Sequence, residues 1–496
     1  MTGASMTNQQ MLLAAMIVLP LVGGIGVSLI PGSRKNLARP AALVIAGVVL
    51  AASAWLWASF DATRSSMQFV VDVPWIAGLG TAFHLGVDGL SLPMLFLTAL
   101  LSFLAVIASR GIKDRECQYF ALLLLLEAGL CGVFAALDLI LFYLFWEVVL
   151  IPMYFLISIW GGPRRAYAAV KFFLYTLAGS LAMLGGIIAL YLATGATTFD
   201  MSRIAQLSSG LTTGAQTAIF IAIAVGLAVK VPIFPLHTWL PDAHVEAPTA
   251  VSVLLAGVLL KMGGYGFMRL GPGMLPRGFL AIAPVLAVLA VISIVYGAAL
   301  ALVQTDLKKL VAYSSVSHMG YVMLGIAAGT TASMTGATVQ MFSHGLIAGL
   351  LFLLVGAVYE RAHTREISAF GGIAKVTPVL AGTLVFASFA SLGLPGMSGF
   401  IGEFMVIVGS LPRFPVLAAI AAAGVILTVS YLLWMLRRVA FGPLNEARIG
   451  MPDMTVSEAM SLAPLCILIV VVGVFPASLT NVIQVSAGTL ARVLSR

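Results

Sequence analysis

Charge is what this sequence has least of. Only 9% of its 496 residues are Asp, Glu, Lys or Arg, where ordinary soluble domains carry roughly 25%. Apolar residues make up 61%, and mean hydropathy is +1.09. That combination excludes a water-soluble globular protein and predicts an all-α chain that crosses the lipid bilayer many times. Cysteine is scarce as well. Cys117, Cys131 and Cys466 include no Cys-x-x-Cys pair, which excludes a disulfide scaffold and argues against an iron–sulfur cluster. There is no Walker A run, and no Gly-x-Gly-x-x-Gly follows a strand-like segment. No nucleotide site is therefore expected on this chain. No polar stretch is long enough to make a soluble domain. The first ten residues hold no Lys or Arg, so the apolar run 11–30 lacks a signal peptide's basic lead and reads as a retained span.

What is present is apolar runs. About fourteen are long enough to cross a bilayer. They lie near 11–30, 40–59, 88–109, 117–136, 138–160, 168–194, 214–238, 246–269, 278–300, 304–328, 334–359, 376–412, 415–440 and 458–479. The Lys and Arg residues between them are lopsided. One side collects Arg34, Lys35, Arg39, Arg110, Lys113, Arg115, Arg164, Arg165 and Lys171. It also takes Lys308, Lys309, Arg361, Arg365, Lys375, Arg437, Arg438 and Arg448. The other side keeps Arg64, Arg203, Arg269, Arg277, Arg413, Arg492 and Arg496. The positive-inside rule puts the richer side in the cytoplasm and both termini outside it. The net charge of +8 follows from this bias and implies no nucleic-acid partner.

Between the second and third runs, 67–73 and 81–87 are rich in β-branched and aromatic residues around Gly78-Leu79-Gly80. They predict an external hairpin within 60–87. After the last run, Val482, Val485, Leu490, Val493 and Leu494 recur at roughly helical spacing. They fit either a short amphipathic helix or a frayed tail. The chain thus divides into 1–109, bundles at 117–269 and 278–440, and a closing segment 458–496.

Stretch 226–270 organises the rest. It carries a lysine inside each of two spans, Lys230 and Lys261, with Pro232 and Pro235 just past the first. His237 and His244 flank an elbow at Pro241. A charge at membrane depth costs on the order of 3 kcal/mol even on the cheapest scale. Broken helices in lipid survive only where protein or a water-filled cavity satisfies the freed backbone. The second bundle has its own interruption, Gly393-Leu-Pro-Gly-Met-Ser-Gly399. Gly/Pro breaks at matching places in two halves point to inverted repeats with an ion path between them. Spans 4–8 and 9–13 would be those repeats. Glu147 lies about nine residues into the fifth span, where a carboxylate must be neutral or paired, and Lys230 is the expected partner. Glu403, on the second half of the broken twelfth span, is the last deep acid. Lys230, Lys261 and Glu403 together would form a hydrated proton relay. His318 and His344 are embedded among small hydroxyl residues and titrate nearest neutrality, so they are relay candidates or satisfied core histidines in equal measure. A static Glu147–Lys230 pin is the bland alternative. Glu127 is a further buried acid, and a packing hydrogen bond is its plainest role. No Cys accompanies His237 and His244, which makes a metal site there a poor fit.

FYLFWEVVLIPMYFLISIWG (142–161), LHTWLPDAHVEAPTAVSVLLAGVLLKMGGYGFMRL (236–270), QTDLKKLVAYSSVSHMGYVMLG (304–325) and GLPGMSGFIGEFMV (393–406) resemble the antiporter-like subunits of respiratory complex I. The resemblance is to the subunit M, or mitochondrial subunit-four, type of bacterial NADH:quinone oxidoreductase, over about residues 85 to 440. It implies fourteen helices in two inverted five-helix repeats around a polar mid-membrane axis. In that pattern Glu147 is the span-5 carboxylate, Lys230 the lysine of broken span 7, Lys261 the connecting lysine of span 8 and Glu403 the terminal acid of broken span 12. His237, His244, His318 and His344 fall where family histidines occur. The resemblance also implies neighbouring L and N subunits in a bacterial inner membrane. NADH, flavin, iron–sulfur clusters and quinone would sit on other subunits. Subunit L has an added lateral helix that the residues after 479 are too few to form. Lysine usually replaces Glu403 in subunit N and in Mrp-type cation/proton antiporters, so an Mrp-type subunit is the main alternative. The equivalent subunits of photosynthetic or F420-linked relatives of complex I share these motifs and stay open. A purely structural scaffold would not need buried charge on four helices.

Overall fold

The computed structural model describes residues 7–495 and is almost wholly helical. Helices α1 (Asn8–Ser28) and α2 (Ala38–Ser59) lead to a two-stranded antiparallel hairpin, β1 (Gln68–Ile76) and β2 (Thr81–Val87). Then come α3 (Ser91–Ala108), α4 (Glu116–Ala135), α5 (Leu139–Val148), α6 (Leu150–Trp160) and α7 (Arg165–Ala193). The short α8 (Met201–Ser208) precedes α9 (Thr213–Lys230), α10 (Trp239–Glu246), α11 (Thr249–Leu254) and α12 (Leu260–Leu270). The second half is α13 (Pro276–Leu302), α14 (Leu307–Ala328), α15 (Thr331–Ala362), α16 (Pro378–Ser391), α17 (Ser398–Ser410) and α18 (Pro415–Val439), with α19 (Val456–Val474) and α20 (Ala477–Leu494) at the end.

Among the described residues thirteen helical segments are long and apolar enough to span a bilayer, and α16 and α17 are shorter apolar helices. Burial sorts them into layers. The apolar windows of α11–α12 and α15 are buried throughout, and that of α14 nearly so, whereas α1, α2, α18 and α19 bury a third of theirs. The outer helices turn Val22, Ile25, Val44, Trp55, Ile426 and Ile467 outward. Apolar residues facing out from polar-poor helices are what lipid requires.

The breaks have local causes. Pro152 has no N–H for the carbonyl of Val148, and the helix divides there into α5 and α6. Pro232 and Pro235 stop α9 at Lys230, eight residues earlier than the expected end of that span. The elbow expected at Pro241 is not where the chain turns. Pro241 sits in the first turn of α10, where a missing N–H costs nothing. The unwound segment is 231–238, and protein satisfies several of the backbone groups in and beside it. Ile233 N–H donates to the Ala228 carbonyl at 3.1 Å, Trp239 Nε1 to Val229 at 3.0 Å, and Phe234 N–H to Ser293 Oγ at 2.9 Å. Segment 392–397 between α16 and α17 turns on Gly393 (φ +81) and Gly396 (φ +90), a region that favours glycine.

The hairpin is docked at its turn and at β2. Gly80, at φ +63, lies tight against the carbonyl of Thr197 and accepts from Phe199 N–H. Ala82 N–H donates to Asp138, and His84 pairs with Asp200 at 2.7 Å. The C-terminal residues form a helix and not a frayed tail. α20 buries Leu479, Ile483, Ala487 and Leu490 along one face, against α15.

Candidate functional site

Glu147, at the end of α5, and Lys230, at the end of α9, come from elements that Pro152 and Pro232 terminate. They do not form the expected direct ion pair. Lys230 is buried within charge–charge reach of Glu147, but its ammonium lies over the rings of Trp146 (5.4 Å) and Phe172 (5.9 Å). Cation–π contact is attractive here because the rings are desolvated. Glu147 is partly buried, and its Oε1 is buried without a partner.

Lys261 is fully buried. It follows a π-helical turn, Leu255–Leu259, set between α11 and α12. Such turns are rare and recur at functional sites, because they disturb the regular carbonyl ladder. The lysine Nζ donates to the carbonyl of Ala256 inside that turn. Its other partner is Nδ1 of His344 on α15, at 2.7 Å. The His344 ring lies 5.6 Å, centroid to centroid, from that of His318 on α14. His318 Nδ1 is 2.7 Å from Glu403 Oε1, and its Nε2 is 3.2 Å from Ser391 Oγ. Gln340 Nε2 donates to the same Glu403 oxygen at 3.0 Å. Glu403 itself, on α17, is turned back toward Gly393 in the break. Lys261, His344, His318 and Glu403 thus form one buried line from α12 across α15 and α14 to α17. A gap of about 10 Å³, enough for about one water, lies among His318, Gln340, His344, Ser391 and Glu403. His344 Nε2, Gln340 Oε1 and Ser343 Oγ are buried without protein partners. Buried polar atoms left this way need water or a transferable proton.

His244 on α10 is fully buried, stacks on Phe352 at 4.5 Å, and has no partner at either ring nitrogen. It lies within charge–charge reach of Lys261 and Lys308. His237, in the unwound segment, stacks on Phe234 and meets the edge of Tyr296, with Nδ1 unpartnered. No three His, Cys, Asp or Glu side chains converge as metal ligands among the described residues. Glu127 on α4 is fully buried, and neither of its oxygens has a partner.

Four residues escaped the sequence reading. Gln340 lies one turn before His344, and that i, i+4 spacing was its only signal. Ser391 closes α16 at the edge of the break. Lys308 and Arg269 read as loop charges, but Lys308 is buried and Arg269 largely so. Arg269 sits in the last turn of α12, paired with Asp88 and bonded to Tyr265 at 3.0 Å. Lys308 sits in the first turn of α14 with its Nζ on the carbonyl of Ala247 at 2.5 Å.

Residues 136–430 match the family model described as NADH:quinone oxidoreductase/Mrp antiporter, TM. Over 498 aligned residues the chain is 44% identical to NADH-quinone oxidoreductase subunit M of Rhodobacter capsulatus, covering 97% of each. Its fold superposes on a chain of respiratory complex I from Thermus thermophilus with TM-score 0.89, at 33% identity, covering 97% of this chain and 99% of that one. It also superposes on a chain of the Mrp complex from Dietzia sp. with TM-score 0.87, where 22% identity shows a common fold alone. The chain belongs to the NADH:quinone oxidoreductase/Mrp antiporter membrane family, among relatives that are subunit M chains.

Proposed function

We propose that this chain is the antiporter-like, proton-translocating membrane subunit of a NADH:quinone oxidoreductase of the complex I type. One observation carries this: the buried line Lys261–His344–His318–Glu403, joined by contacts of 2.7 Å at each end and lined by unpartnered polar atoms. Each member can hold and release a proton. A rigid scaffold gains nothing from burying four such groups, because apolar packing stabilises helices at least as well. Lys230, Lys261, Glu403 and the four histidines form the relay, and Glu147 controls it. When Glu147 closes on Lys230 the lysine keeps its proton. When they part, the proton is released toward His244 and Lys261. Residues 117–269 and 278–440 are read as two inverted five-helix repeats. The pair α16/α17 then counts as one crossing and makes fourteen. The chain works beside L- and N-type subunits in a bacterial inner membrane, with both termini periplasmic. NADH oxidation and quinone reduction, with flavin and clusters, belong to other subunits.

The Mrp-type reading is weaker, because the Mrp chain shares the fold at 22% identity, against 44% for the subunit M chain of Rhodobacter capsulatus. The test is Lys261→Met in the assembled complex, in inverted vesicles with a pH-sensitive dye. Pumping and the oxidoreductase turnover coupled to it should fall to about a tenth or less, the range removed with a proton-transfer group, while assembly persists. Pumping at the parent rate would refute the relay.

A further inference from the structure

A cleft of about 490 Å³ opens at the Lys/Arg-poor end of the fold, away from the buried line. It is lined by Leu280, Thr330, Thr331, Arg413, Arg492 and Leu494. The start of α13, the turns 329–330 and 411–414 and the last turns of α20 meet there. Two cations face it without counter-charge. Arg413 is partly buried, and its Nη1 reaches the Ala327 carbonyl at 3.5 Å while the guanidinium lies 5.4 Å over the Phe414 ring. Arg492 bonds back to its own helix, to the Gly488 carbonyl at 3.3 Å and to Thr489 Oγ1 at 3.1 Å. Among the described residues neither arginine pairs with an acid, whereas Arg64 on the same side pairs with Asp61 and Arg269 with Asp88. Burial pulls the Arg413 guanidinium below its ordinary value, and no carboxylate opposes it. The first turn of α15 borders the cleft at Thr330 and Thr331, where N–H groups lack helical acceptors and favour negative charge.

We propose that this cleft binds the phosphate of an anionic phospholipid, of the phosphatidylglycerol class, between Arg413 and Arg492. Guanidinium–phosphate contacts are charge-assisted and matched in shape, and basic pockets between membrane helices suit anionic headgroups. Depth favours a lipid over a soluble anion. Arg413 stands between the end of α17 and Pro415 at the start of α18, and Arg492 lies in the last turn of α20. Both are therefore where helices leave the hydrocarbon, which is the level of phospholipid phosphates. The turns beside the cleft also expose apolar side chains: Leu411, Val416 and Ile420 around the start of α18, and Val285 on α13. Acyl chains gain contact along that wall, and a free anion gains none. The lipid binds whether or not the chain moves protons.

Lipid counting on the assembled complex tests this. The complex is stripped of loosely bound lipid in a neutral detergent and given equal amounts of phosphatidylglycerol and phosphatidylethanolamine. This chain is then released from the complex by collision in a mass spectrometer, and the lipids that stay on it are counted. The parent chain should hold one phosphatidylglycerol more than the double variant Arg413→Gln/Arg492→Gln, with equal phosphatidylethanolamine on both. Thr331→Glu should lose the same lipid, because its carboxylate occupies the arginines. An acid in the first turn of α15 is favourable to the helix, so this variant keeps its assembly and decides the matter if the double variant does not assemble. Equal phosphatidylglycerol on the parent and on Thr331→Glu would overturn the site. Equal loss of phosphatidylethanolamine would overturn the anionic class. Replacement of the phosphatidylglycerol on the parent chain by millimolar inorganic phosphate would make the ligand a free anion and overturn the lipid.

Discussion

One oxygen of Glu403 accepts from Gln340 and lies 2.7 Å from His318 Nδ1, and the other faces the break at Gly393. That division suits a carboxyl that is held by one atom and exchanges its proton at the other. Glu403→Gln keeps the shape and loses the proton, so pumping should drop to about a tenth or less. Glu403→Asp should keep partial activity, because the carboxyl remains on a shorter stem. Glu403→Lys should pump with an altered pH dependence. Proton uptake by the dye assay across the pH range checks all three. A Gln variant that pumps like the parent would make Glu403 structural. The neighbouring side chain matters in the same way: His318 bridges Glu403 and Ser391, so its tautomer is chosen by whichever partner holds the hydrogen.

The elements place these side chains by departing from regular helix. Four interruptions do the work: the division before Pro152, the unwound 231–238, the π turn at Leu255–Leu259 and the glycine break 392–397. Each frees backbone groups beside an ionisable residue, and the π turn is wholly buried whereas Leu394, Pro395 and Gly396 of the glycine break are exposed. The hairpin offers an element whose docking answers to pH. The hydrogen bond to Asp200 holds the His84 imidazole above its ordinary value, against partial burial. Burial pushes the Asp200 carboxyl upward, but the His84 hydrogen bond and the Arg203 N–H outweigh it and leave it below the ordinary range. A raised histidine stabilises below its unfolded pKa of about 6.5, and that contribution fades as pH rises through the raised value. The depressed aspartate stabilises above its unfolded pKa of about 3.9, and its share is lost as pH falls through the lowered value. Hydrogen-exchange protection of 68–87, corrected for intrinsic rate, should therefore weaken as pH climbs beyond about 6.5. His84→Ala should flatten that dependence. A parent hairpin protected equally from pH 5 to 9 would contradict it.

At the scale of the whole molecule, polarity runs from the centre outward. The most buried helices, α11–α12, α14 and α15, carry Lys261, His318 and His344, while the outermost carry apolar side chains for lipid. The orientation proposed across the bilayer rests on the Lys/Arg bias. Position 165, changed to Cys in a cysteine-free background, should react with an impermeant maleimide from the cytoplasm. Position 75, on the hairpin, should react from the periplasm. The reverse pattern would invert the topology and with it the direction assigned to the relay.

Some of this was settled along the chain and some only in space. Hydropathy sets the spans because lipid tolerates no unpaired backbone, and the Pro and Gly runs set the breaks because they act on their own residue and its neighbours. The ionisable residues stood out because charge is rare in such a chain, and the long shared runs were enough for the family. Distances between helices are another matter. Opposite charges at Glu147 and Lys230 suggested a direct pair, but the Lys230 ammonium lies over the rings of Trp146 and Phe172 instead. Lys308 looked like a surface charge beside Lys309, and only the packing of α14 against the end of α10 buries it. The π turn has no marker in LAGVL, and Gln340 gains its role from a carboxylate sixty-three residues away. Local chemistry is written residue by residue. Which ionisable side chains touch is decided by how the helices pack, and that depends on all of them at once.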